Sequence, residues 1–256
     1  VPSKPHGVHL VGSVPLADAP SVFRMASEKL GDRLKRLPDG ETGVRSKWVH
    51  WQLRVFESMD VFESEVVDTG YIRRAQFRLK RGVQPQDISF PALGYAEAAR
   101  ASYAAFARLR ARGEIAAHLK FLVCLPTPLA PVTSFVFPES RAAVEPSYQE
   151  RLFAELDEIV ATVPREHLAI QWDTAYEFAL LEGIMPSGFA DPQAEILGRL
   201  VRYGDRVPPE VELGYHLCYG DSSHRHFKDP EDTAKLALVA SHLARHLRRP
   251  LNWIHL

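Results

Sequence analysis

Residues 167–173 (HLAIQWD) and 211–219 (VELGYHLCY) decide how this chain folds. Each is a short apolar run with β-branched or aromatic members that ends in polar or glycine-containing sequence, the form of a buried parallel strand. The same form recurs at 7–12 (GVHLVG), at 34–38 leading into PDGETG, at 118–125 (HLKFLVCL) and at 251–256 (LNWIHL). Helical patterns lie between them. Residues 95–112 are rich in Ala, Leu and Arg, which have high helix propensity. Residues 147–161 place Leu152, Leu156, Ile159 and Val160 on one helical face. Residues 230–247 open with Pro and acids and close with His and Arg, which suits the helix dipole.

Strand and helix alternate over the whole length, so a parallel sheet with helical crossovers is expected. The polar residues Ser13, Asp173, His216 and Cys218 fall at the C-terminal ends of the strands, where both open α/β sheets and barrels carry their sites. No G-x-G-x-x-G or P-loop pattern follows any strand, which disfavours the nucleotide-binding open sheets. The expected fold class is therefore α/β, a (β/α)8 TIM-type barrel, in a single domain spanning residues 1–256. No linker or internal repeat divides the chain, and residues 56–90, which fit no strand or helix pattern, read as an insertion or excursion.

Composition narrows the function classes. The 31 Lys+Arg and 32 Asp+Glu give a formal net charge of −1 without a block of like charge, so neither nucleic acid nor an acidic membrane surface is expected as a partner. The uncharged stretch 121–138 contains Pro126, Pro128, Pro131 and Pro138, and reads as a strand followed by an irregular loop rather than a membrane span. Two cysteines, Cys124 and Cys218, are too few for a disulfide scaffold, and the N-terminal residues lack the pattern of a secretory signal. A cytoplasmic location is expected.

Three segments carry candidate chemistry. In Tyr215–Tyr219, strand alternation puts His216 and Cys218 on one face, which is half of a tetrahedral zinc site; a core thiol and a hydrogen-bonded imidazole account for the pair equally, and taken alone they are the simpler account. In Pro38–Arg45, two glycines flanked by Asp39, Glu41 and Arg45 make a polar turn that either aims a carboxylate inward or is simply solvated. In Ile170–Asp173, Gln171 and Asp173 share a face; Asp173 either caps the next helix or points into the barrel mouth, where a carboxylate needs a cation, a metal or a ligand. His224 and His226 read as surface histidines, His9 and His255 as structural ones, and Cys124 as an inert core thiol.

Taken in order, these segments resemble the catalytic barrel of cobalamin-independent methionine synthase and its superfamily, which includes uroporphyrinogen decarboxylase and the epoxide:coenzyme M transferases. Val11–Pro15 is similar to the family's I-G-S-[FY]-P. Gly40 and Glu41 match H-G-E-x-x-R, with Asp39 in place of the His and Arg45 one position late. FLVCLPTPLAPVT is similar to the third-strand segment, IQWD to I-Q-[IL]-D, and HLCY to the zinc-binding H-x-C-Y. The resemblance runs from about residue 7 to residue 256. It implies zinc as cofactor, with His216 and Cys218 as two of its ligands. It also implies that Ser13, Glu41 and Asp173 bind an amino-acid-like substrate.

The activity implied is a zinc-dependent transferase that activates a thiol for methyl or alkyl transfer, with the donor unspecified. A metal-independent decarboxylase or lyase of the uroporphyrinogen decarboxylase type, or a non-catalytic barrel that binds a small ligand, are the alternatives. The family's other two zinc ligands, a Glu after the sixth strand and a Cys from the eighth, have no counterpart in the 256 residues. Only about six strands can be counted, so the barrel is expected to lack its last two βα units, roughly 60 residues at about 30 per unit. Either the native chain continues past Leu256, or a homo-oligomer or partner chain covers the open barrel edges.

Overall fold

The alternating strands fix the layers. The computed structural model describes residues 7–68 and 73–256, so residues 1–6, where the signal reading begins, and 69–72 within the 56–90 stretch lie outside the described residues. In chain order the elements are α1 (Ala19–Leu30), β1 (Arg36–Pro38), α2 (Leu53–Glu57), β2 (Phe62–Asp68), β3 (Arg73–Leu79), α3 (Tyr95–Ala111), β4 (Lys120–Pro126), α4 (Leu129–Phe135) and α5 (Pro138–Thr162). They continue with β5 (Leu168–Thr174), α6 (Tyr176–Leu181), α7 (Pro192–Arg206), β6 (Glu212–Leu217), α8 (Ala234–His246) and β7 (Trp253–His255).

The main sheet is parallel, in the order β1-β4-β5-β6-β7. This corrects the expectation of a (β/α)8 barrel: the described residues form a five-stranded half-barrel sheet and a separate two-stranded one. The half barrel does not close, because β7 pairs only with β6. The expected first strand, 7–12, makes only isolated parallel bridges, Val8 to Leu34 and Ser13 to Gly40. Between those bridges it leaves the strand path. The Val11 carbonyl accepts hydrogen bonds from Cys124 Sγ at 3.3 Å and Gln171 Nε2 at 2.6 Å, both inward-facing side chains of other strands.

Alternation gives the sheet two unlike faces. Phe121, Val123, Leu125, Leu168, Ile170, Trp172, Leu213, Tyr215 and Leu217 enter the main core against the helices. The concave face carries a small apolar group of Leu122, Cys124, Ala169 and Trp253 beside the polar Arg36, Gln171, Asp173 and His216. Trp253 lies over Gly214, its register partner on β6; a Cβ there would sit 1.9 Å from the indole. Only glycine leaves room for that ring.

The stretch 56–90 holds the antiparallel hairpin β2–β3, whose Phe62 and Phe77 pack against Phe56. The stretch 121–138 differs from the loop expected of it. After β4 the chain forms α4, in which Pro131 occupies the first turn, where an absent N–H breaks no helical hydrogen bond. The fully buried Glu155 of α5 accepts from the amides of Gly94 and Ala96, both at 3.0 Å, and so caps α3 from a distant segment. No helix among the described residues is long and apolar enough to cross a membrane.

Candidate functional site

The turn after β1 is built around Asp39. Its Oδ1 accepts from the Glu41 amide at 2.9 Å, and its Oδ2 accepts from Arg45 at 2.5 Å and from Ser102 Oγ at 2.7 Å. Gly40 sits at φ +80°, where a Cβ would meet Val22 Cγ2 at 2.6 Å. Glu41 itself is left-handed, at φ +48°, an uncommon conformation for a residue with a side chain. The Ser13–Gly40 bridge, with Val14 N donating to Gly40 O at 2.9 Å, delivers Ser13, whose hydroxyl donates to Glu41 Oε2. Two motifs 28 residues apart therefore form one edge of the mouth.

Asp173 forms the other edge from the end of β5. Its Oδ1 accepts from Gln171 Nε2 at 2.8 Å, and it does not cap the next helix, since α6 has no side-chain cap. Gln171 is the hub of the concave face. Its Oε1 accepts from Trp253 Nε1 at 3.1 Å and from His9 Nε2 at 2.9 Å, which places a proton on that ring nitrogen because a carbonyl oxygen can only accept.

Burial raises the proton affinity of both carboxyls. Burial raises Glu41 to about 7, with a further push from Asp39, while the Ser13 hydrogen bond and Arg45 pull the other way. Burial pushes Asp173 well above the usual carboxylate range, and Glu41 adds to it. Arg45 is committed to Asp39. Among the described residues no cationic side chain forms an ion pair with Glu41 or Asp173. Two such carboxyls can take up a ligand's cation, and Glu41 can hold and release a proton near neutrality.

His216 is the register partner of Asp173, so the two lie side by side on adjacent strands. Its Nδ1 lies 2.9 Å from His255 Nδ1, and burial, reinforced by His255 and His9, lowers it to about 4, so the ring is neutral at pH 7. Cys218 accepts from the Gly220 amide at 3.0 Å, and burial raises its thiol to about 11. His216 is thus joined to His255 and not to Cys218. The nitrogen and sulfur donors suit zinc in kind, but among the described residues no group of three or more His, Cys, Asp or Glu could hold a metal ion. Two donors do not make a zinc site, so no chemical step is routed through a metal.

His224 and His226 lie in an exposed loop, the latter 3.3 Å from Asp229 Oδ1. Cys124 is buried on the concave face, where a Cβ on Gly12 would come within 3.3 Å of its sulfur. Sequence reasoning gave no role to Ser102, Trp253 or the buried pair of Thr127 and Glu177, in which Thr127 Oγ1 donates to Glu177 Oε1. Only Trp253 carried a signal, as an indole among the inward positions of the last strand.

No family model matches the chain, and neither a curated protein nor a solved structure does.

Proposed function

We propose that the mouth formed by Ser13, Glu41 and Asp173 binds the ammonium group of a small, amino-acid-like thiol substrate. The reaction is thiol alkylation, of the type that the motif series resembles. One observation carries this reading: two buried carboxyls with raised proton affinity stand at the C-terminal ends of parallel strands with no ion-pair partner among the described residues, the nearby Arg45 being committed to Asp39. An ammonium group supplies the missing charge and stabilises both carboxylates in their ionised form. The Ser13 hydroxyl fixes the Glu41 carboxyl in place. The two free thiols, Cys124 and Cys218, fit a reducing, cytoplasmic setting.

The resemblance adds zinc, with His216 and Cys218 as ligands. Because the described residues give it two donors, the ammonium-binding reading does not depend on the metal. Equilibrium dialysis against Zn²⁺ tests the addition: one equivalent bound, and lost in His216→Ala and Cys218→Ser, supports it, and no retained zinc removes it. A second reading, metal-independent acid–base chemistry on a carboxylated substrate, draws on Glu41 titrating near neutrality.

The deciding experiment is calorimetric titration with L-homocysteine and N-acetyl-L-homocysteine. The free amine is expected to bind, and N-acetylation, Glu41→Gln or Asp173→Asn to weaken it by about tenfold or more. Equal binding of the two compounds would sink the ammonium assignment. A preference for carboxylates regardless of an amine would favour the acid–base reading.

A further inference from the structure

A cleft runs along β7 from the N-terminal end of β1. It encloses about 420 Å³ between the Gly7–His9 segment and β7, and its floor includes the start of β1. That volume is within the range of small-molecule sites. Its lining is cationic: Arg33, Lys35 and Arg36 contribute, against the single acid Asp32. Arg36 is only 9% exposed, bonded to Glu212 through Nε at 2.6 Å and lying 3.8 Å over the Trp253 ring, so its charge is already answered. Arg33 and Lys35 are different. Both are exposed, and neither makes an ion pair among the described residues.

We infer that this cleft binds a small organic anion, with its phosphate or carboxylate between Arg33 and Lys35 and its apolar body along Val8, Ile254 and the ring edges of Trp253 and His255. The charge balance carries the assignment. Two unanswered cations at the rim of a concave, partly apolar cleft gain from an anion that releases their counterions, and the buried Arg36–Glu212 pair fixes the wall behind them. The Arg33 guanidinium can grip a carboxylate or a phosphate with two hydrogen bonds, and the Lys35 ammonium acts as a point charge. The Arg33–Lys35 rim lies at the N-terminal end of β1, while the β7 wall of the cleft reaches His255, in register with His216 and Asp173; the anion assignment rests on the rim cations and not on the ammonium reading.

The test uses four probes by calorimetry: adenosine monophosphate, 2-naphthoate, adenosine and inorganic phosphate. The first two combine a body with an anion and separate a phosphate source from a carboxylate one. At least one is expected to bind about tenfold more tightly than both adenosine and inorganic phosphate, and to lose about tenfold in Arg33→Ala/Lys35→Ala. Both substitutions are at exposed positions, and an unchanged circular dichroism melt confirms that the variant is folded. Trp253→Phe, read by the loss of a ligand-induced fluorescence change, places the ligand beside β7. Failure of both composite anions to bind at millimolar concentration overturns the inference, and so does undiminished binding to the folded double variant. Glu41→Gln is expected to leave this binding unchanged, which separates it from the mouth.

Discussion

The Ser13 hydroxyl donates to the Glu41 carboxylate, and together with the Val14–Gly40 backbone bond it joins the segment that crosses the concave face to the turn after β1. Asp39 places Glu41, since it holds the Glu41 amide while Arg45 and Ser102 hold Asp39. The candidate mouth is thus only as well ordered as a buried ion pair two residues away in sequence.

Asp39→Asn tests that dependence. The amide keeps an acceptor for the Glu41 N–H but leaves the Arg45 guanidinium, 16% exposed, without its carboxylate. Removing one partner of a buried pair costs about 3 kcal/mol or more, because the remaining charge stays desolvated. Urea denaturation is expected to show a loss of that size, and homocysteine binding is expected to weaken along with it. A fully stable Asp39→Asn variant would show that the pair is solvated in solution.

Much of this arrangement could be read from sequence because strands buried on both faces announce themselves. The runs 118–125, 167–173 and 211–219 coincide with β4, β5 and β6 to within a residue or two, and 95–112 with α3. Failures came where a distant partner decides local structure. The segment 7–12 has a strand's composition, yet Gln171 and Cys124 draw its backbone across the concave face. The α4 turn survives its prolines because they fall where no N–H is needed. Closure of a barrel is a property of edges, and no pattern within the strands encodes it. Likewise Glu41 and Asp173 were legible as candidate carboxylates, but their joint lack of an ion-pair partner among the described residues is a three-dimensional fact.

Two buried carboxyls should each make stability fall as pH rises through the carboxylate range. Glu41 and the fully buried Glu177 both titrate at about 7 in the folded chain, against 4.5 for the ordinary group. Burial is the main cause for each, and one oxygen of Glu177 has no hydrogen-bond partner. Between those values the folded state holds protons that the unfolded state has released. The stability present below about pH 4.5 is therefore lost progressively up to about pH 7 and stays lost above it. Glu177→Gln, which can still accept the Thr127 hydrogen bond, is expected to flatten this fall by a few kcal/mol at most. Chemical denaturation at pH 5 and pH 8 measures it. Histidines lowered by burial, His216 above all, contribute the opposite slope below about pH 6.5, so the comparison of variants decides: an unchanged pH dependence in Glu177→Gln would show that Glu177 is not held protonated.

The Gly214–Trp253 contact offers the sharpest mutational test of the concave face. An alanine methyl at position 214 would overlap the indole, whose Nε1 is tied to Gln171 and whose ring is covered by Arg36. The ring cannot swing aside without breaking the hub, so Gly214→Ala should cost at least the upper end of the roughly 1–3 kcal/mol typical of overpacking. Trp253→Ala alone should cost about 3–5 kcal/mol by leaving a cavity. Once the indole is gone, however, the added methyl meets open space. The double variant should therefore be no less stable than Trp253→Ala, a coupling of about 1–3 kcal/mol that additive behaviour in urea denaturation would contradict. The same contact reaches the mouth. Losing the indole removes one of the two donors to Gln171 Oε1, so Trp253→Ala should loosen the amide that bonds Asp173 and weaken homocysteine binding without altering either carboxyl.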